Sequence, residues 1–151
     1  MFRMLGSLSV PAVLSLVVAC DSVTAPPSGQ SRLYVLTDID GTAVPAALIT
    51  GIGDTTTVFW ATLSLDPSGQ AIRATQFRHA YLNYRPDTTT TVSVRRYREE
   101  GDSITVGFFT TCPDICLPNE VGRLADSTLT LTFDIRPRTD RVYRYRLAAT
   151  Y

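Results

Sequence analysis

From Leu33 onward, apolar and polar residues alternate with a period of two, in short runs separated by turn-forming residues. Leu33–Ile39 places Tyr34 and Leu36 on one face and ends at Asp40-Gly41, a hairpin signal. Ala43–Ile49 is a weaker run carrying Pro45, which suits a sheet edge because proline has no N–H to donate. Val58–Leu65 sets Phe59, Ala61, Leu63 and Leu65 on one side, before the tight turn Asp66-Pro67-Ser68-Gly69. Residues 70 to about 84 read as one long extended segment, bulged or broken near Arg78–Ala80. Thr89–Arg98 and Ser103–Phe109 form a hairpin with Ile104, Val106 and Phe108 inward. Glu120–Leu124 is a short strand. Thr128–Ile135 aligns Leu129, Leu131, Phe133 and Ile135. Arg141–Ala148 turns Tyr143, Tyr145 and Leu147 inward and Arg144 and Arg146 outward.

No window in this region carries a helical repeat, and the 21 threonines favour half-buried strands. Eight or nine short strands, each with one apolar face, cannot lie flat in water. The predicted fold is all-β: a small antiparallel up-and-down barrel, with a two-layer sandwich as the alternative.

The first nineteen residues differ in kind. Arg3 precedes a mostly apolar run, Leu5 to Ala19, broken by Ser7, Ser9, Pro11 and Ser15. That is short for a membrane span, which needs about 20 apolar residues, and fits a helical secretory signal peptide. Val17-Val18-Ala19-Cys20 resembles the lipobox of bacterial lipoproteins. The resemblance implies cleavage before Cys20 and acylation of its thiol. Two or more chains would then anchor the protein stably in a membrane. Asp21 resembles an inner-membrane retention signal, and the choice between inner and outer membrane stays open. Residues 21–30, rich in Pro, Ser and Gly, read as a flexible tether. The division is residues 1–19 signal peptide, 20–30 lipidated Cys and tether, and 31–151 barrel domain.

A second resemblance lies in Tyr34-x-Leu36-x-x-Ile39-Asp40-Gly41-x-x-Val44-Pro45, Leu63-Ser64-Leu65-Asp66-Pro67-Ser68-Gly69 and Val142-Tyr143-Arg144-Tyr145-Arg146. These stretches look like the opening strand, second turn and closing strand of lipocalin-like bacterial lipoproteins. The resemblance implies a fold and an envelope address rather than a reaction.

Composition narrows the function classes. The chain has 151 residues, enough for one domain, with 14 basic and 14 acidic residues and 19% charged positions. That neutrality argues against a nucleic-acid partner. A single His leaves little room for a metal site, and no Gly-x-Ser-x-Gly elbow is present. Neither a catalytic site, a metal nor a cofactor is expected.

Phe108-Phe109-Thr110-Thr111-Cys112-Pro113-Asp114-Ile115-Cys116 resembles the Cys-Pro-Asp-Ile-Cys segment of Sco copper chaperones. Here Leu117 separates the second Cys from Pro118, no helix pattern follows, and the one His, His79, lies upstream. A thiol or copper role through Cys112 and Cys116 is therefore the distant alternative. The plainer expectation is a structural disulfide between them in an oxidising envelope.

Other candidates have similarly plain counterparts. His79 suits a polar rim or sheet position. Asp38, Asp40 and Asp54 suit turns. Arg95, Arg96, Arg98, Arg144 and Arg146 would form a basic stripe only if their strands were close. Otherwise they are a solvated face balanced by Glu99, Glu100 and Asp102. Trp60, Phe59, Tyr81 and Tyr84 belong to a barrel mouth or to the core.

The expected function is a lipid-anchored, extracytoplasmic lipoprotein of the bacterial cell envelope, acting as a non-catalytic binding or interaction module. A small apolar ligand would be held by Tyr34, Leu36, Phe59, Leu63, Phe133, Tyr143 and Tyr145. The alternative is a structural role with an envelope protein as partner, because eight-stranded barrels are often filled by their own side chains.

Overall fold

The computed structural model describes residues 29–51, 53–81, 85–107, 119–133 and 140–151. The expected signal peptide, Cys20, Tyr84, Phe108, Cys112, Cys116 and Ile135 lie outside them, as does most of the expected tether. Every regular element described is a strand: β1 (Arg32–Ile39), β2 (Thr42–Ala43), β3 (Ala46–Gly51), β4 (Asp54–Asp66), β5 (Gln70–Ala80), β6 (Asp87–Glu100), β7 (Ser103–Gly107), β8 (Glu120–Ala125), β9 (Thr128–Phe133) and β10 (Arg141–Thr150).

Strands β4 to β10 pair with their neighbours in sequence, all antiparallel, and β10 pairs with β1. The ring closes where Arg32–Val35 of β1 pair with Leu65–Thr62 of β4. The result is an eight-stranded up-and-down barrel, and the sandwich alternative falls away. Above this closure β1 and β4 part, and β2 and β3 cover their free edges, pairing with β1 and β4 respectively. The single edge strand expected over 43–49 is thus two pieces, interrupted at Val44-Pro45. Asp40 and Gly41 both take positive φ, 52° and 82°, as the tight β1–β2 turn requires.

One end of the barrel carries the β4–β5, β6–β7 and β8–β9 turns together with Ser31 and Tyr151. Ser31 and Tyr151 exchange two backbone hydrogen bonds there (2.8 and 3.0 Å). The Tyr97 hydroxyl donates to the Asp66 carbonyl oxygen at 2.9 Å. The lumen near this end is filled by Tyr34, Leu63, Leu65, Ala71, Ile104, Leu129 and Leu131, all nearly inaccessible to solvent. Alternation explains this filling: in β9, for example, Leu129 and Leu131 are buried while Thr128 and Thr130 are not.

Two sequence expectations need correction. The long segment after Gly69 ends as a strand at Ala80, within the expected break, but the bulge sits on its neighbour β4. Val58 pairs with Phe77 and Trp60 with Gln76, leaving Phe59 as the extra residue. The inward set therefore changes parity, from Thr56 and Val58 to Ala61, Leu63 and Leu65. Phe59 is displaced from the lumen to the outer wall, where the Arg78 guanidinium carbon stands 5.6 Å from its ring centroid.

The basic stripe also does not form. In the sheet order β6 and β10 are separated by β7, β8 and β9. Arg144 pairs with Asp38 and Arg98 with Glu100, while Arg95 turns inward to Glu120.

Candidate functional site

On β5 the inward positions are Ala71, Arg73, Thr75, Phe77 and His79, in steps of two residues or about 6.6 Å along the strand. Their β4 partners in register are Leu65, Leu63, Ala61, Val58 and Thr56. The bulge at Phe59 is what keeps both series aimed at the lumen above and below it. Apolar filling stops near the second of these rungs. Beyond it lies a cavity of about 330 Å³, within the usual range of small-molecule sites.

Its walls are Leu36, Leu48, Val58, Ala61, Phe77 and Phe133, together with Tyr143 and Tyr145 of β10. Polar groups enter at two levels. At the outer level, Thr56 Oγ1 and His79 Nδ1 share a 2.8 Å hydrogen bond. The His79 ring contacts Phe77 edge-on (centroids 4.7 Å apart) and stacks on Tyr81 (5.6 Å). Arg141 lines the same level, donating to Asp40 Oδ2 and to the Ile49 carbonyl oxygen, each at 3.2 Å.

At the deep level stands Arg73. Its guanidinium reaches across the lumen to Glu120 at the start of β8: Nη1 donates to Oε1 at 2.8 Å and Nη2 to Oε2. Arg95 Nη1 adds a third contact to Oε1 at 3.2 Å, and its guanidinium carbon lies 6.0 Å from the Phe133 ring centroid. Glu120 is 1% exposed, so the cluster is an interior one. Burial opposes the charge on Arg73, but Tyr145 and Glu120 more than offset it and hold its pKa above the ordinary value. Arg73 Nε has no hydrogen-bond partner and no accessible surface. Burial pushes the Tyr145 hydroxyl up to about 12 and raises Tyr143, so both phenols are neutral at physiological pH.

Of the seven residues expected to hold a ligand, the structure brings Leu36, Phe133, Tyr143 and Tyr145 together on this cavity. Tyr34 and Leu63 are buried in the filled part of the lumen and do not line it. Phe59 faces outward, as described above. Trp60, 38% exposed, is on the outer wall, neither at the mouth nor in the core. His79 is a sheet residue that also lines the cavity. Asp38 and Asp40 serve turns and ion pairs: Asp38 accepts from Gly41 N, and Asp40 from Val142 N.

Sequence reasoning missed Arg73, Glu120 and Arg141, and read Arg95 as part of an outer stripe or solvated face. The available signal was parity. Arg73 alternates in step with Ala71, Thr75 and Phe77, and Glu120 in step with Gly122 and Leu124, so each charge fell on a face otherwise small or apolar.

In comparisons with known proteins, no family model, curated protein or solved structure matches this chain.

Proposed function

We propose that this protein is a lipid-anchored lipoprotein of the bacterial envelope, and that its barrel is a non-catalytic carrier or receptor for a small molecule with an apolar body. The observation that carries the binding role is the unfilled upper lumen. Eight strands can be packed solid by their own side chains, and the lower half of this barrel is. The upper half instead leaves about 330 Å³ between apolar and aromatic walls. A second observation fits the anchored reading. The described fold begins beside Tyr151 at the filled end, so a tether from Cys20 would join the barrel at the end opposite the cavity.

Two experiments test this. Native mass spectrometry of the full chain purified from its bacterial host should show a co-purifying small molecule, released on unfolding. Ligand-free protein at every step of a mild purification would count against the carrier role. Globomycin treatment should accumulate the uncleaved precursor, and Cys20→Ser should release the protein from membranes. Normal processing under the drug, or normal anchoring of that variant, would remove the lipoprotein assignment.

A further inference from the structure

We infer that the cavity selects an organic monoanion, a carboxylate on an apolar body, and that Arg73 is its specificity-determining residue. This rests on the cavity being a ligand site, and it adds the chemistry of the ligand's polar end.

Charge balance points to an anion. Two guanidiniums, Arg73 and Arg95, converge on one carboxylate, Glu120. Among the described residues no second carboxylate contacts either of them, so this three-residue cluster carries one positive charge in excess. Charges taken out of water are costly unless compensated, and Arg stays protonated in proteins, so the excess cannot be relieved by titrating the guanidinium. The two phenols beside Arg73 do not supply the missing charge either, since burial keeps them protonated. The outer cation is already matched, Arg141 by Asp40.

Hydrogen bonding points the same way. Glu120 accepts only one N–H from each of Nη1 and Nη2 of Arg73, so each Nη keeps a second N–H, while Nε is buried without a partner. Arg73 nevertheless lines the cavity and keeps 19% of its side-chain surface accessible. A carboxylate entering the deep level would approach Arg73 and Tyr145, both cavity-lining residues. Its remaining atoms would lie against Phe77, Phe133, Leu36 and Val58. Inorganic anions have no use for such walls, and neutral apolar molecules leave the excess charge uncompensated.

The test is calorimetric titration of the full chain in non-ionic detergent with cinnamate and with cinnamamide, which match in shape and apolar area but differ in charge. Cinnamate should bind at least tenfold more tightly than the amide, and Arg73→Met should bring the two within threefold. The comparison on the unmodified chain stands even if the variant fails to fold. Arg123→Gln, exposed on the outside of the barrel, should leave the preference in place. Equal binding of acid and amide overturns the anion inference while leaving the cavity a ligand site. Binding of neither overturns both. A preference that survives Arg73→Met in a folded protein, or vanishes with Arg123→Gln instead, overturns the assignment to Arg73.

Discussion

Arg73 on β5 and Glu120 on β8 meet across the lumen of the barrel, with Arg73 Nη1 2.8 Å from Glu120 Oε1. Two strands, β6 and β7, lie between them in the sheet, so the contact ties separate walls of the barrel together. It also marks the level at which an apolar core gives way to a cavity.

Removing only the acid from this cluster should be severe. Glu120→Ala leaves two guanidiniums facing each other in the interior, and a buried pair broken on one side costs about 3–5 kcal/mol. The triple replacement Arg73→Met, Arg95→Met, Glu120→Leu removes all three charges together and should fall within about 2 kcal/mol of the parent. Urea unfolding of the two variants checks the order. A triple variant less stable than Glu120→Ala would show that the cluster stabilises the fold on balance.

Tyr145 predicts a weakness at high pH. Its hydroxyl ionises near 10.0 in a free tyrosine and near 12 in the folded chain, because burial disfavours the phenolate. The folded state therefore holds the proton that the unfolded state has lost. Stability is complete below pH 10 and declines as pH rises from about 10 to 12, by on the order of 2–3 kcal/mol from this group. Burial raises Tyr34, Tyr97 and Tyr143 as well, and they add to the decline with the same sign. Urea midpoints at pH 9, 10 and 11 should fall less steeply for Tyr145→Phe than for the parent. Parallel curves would contradict the assignment.

Gly122 lies in the lumen-facing series of β8, opposite Leu131 of β9. A Cβ built there would lie 1.8 Å from the Thr130 carbonyl oxygen, a backbone atom that cannot move aside alone. Gly122→Ala should cost about 2–4 kcal/mol by forcing the two strands apart. Gly101 provides the contrast: its φ is 63° but nothing lies within 4 Å, so Gly101→Ala should cost only about 1 kcal/mol. Equal losses in chemical denaturation would mean that strand separation at Gly122 is cheap.

Ala61 lies on the cavity wall and is 2% exposed. Leucine at this position would extend into unfilled space, so Ala61→Leu should stay within about 1 kcal/mol of the parent. It should also lose the co-purifying molecule seen by native mass spectrometry. A folded Ala61→Leu protein that retains its full complement would place the bound molecule elsewhere.

The sequence by itself determined the fold class, because each strand's two-residue alternation is a local property of the chain. Leu129 and Leu131 face inward for the same reason that Thr128 and Thr130 do not, and the turns at Asp40-Gly41 and Asp66–Gly69 are written in their own residues. Where alternation ran unbroken through β9 and β10, even the cavity residues Phe133, Tyr143 and Tyr145 were legible. Tertiary structure decided what alternation could not carry. The bulge at Phe59 depends on how β4 registers with β5, and that one extra residue turned a predicted ligand contact to the outer wall. Closure of β1 on β4 set the lumen's size, and only then did Arg73, Arg95 and Glu120, up to 47 residues apart, acquire a shared interior. A charge read singly in a sequence is assigned to solvent. Its burial becomes visible only when the partner that compensates it, or fails to, is brought alongside.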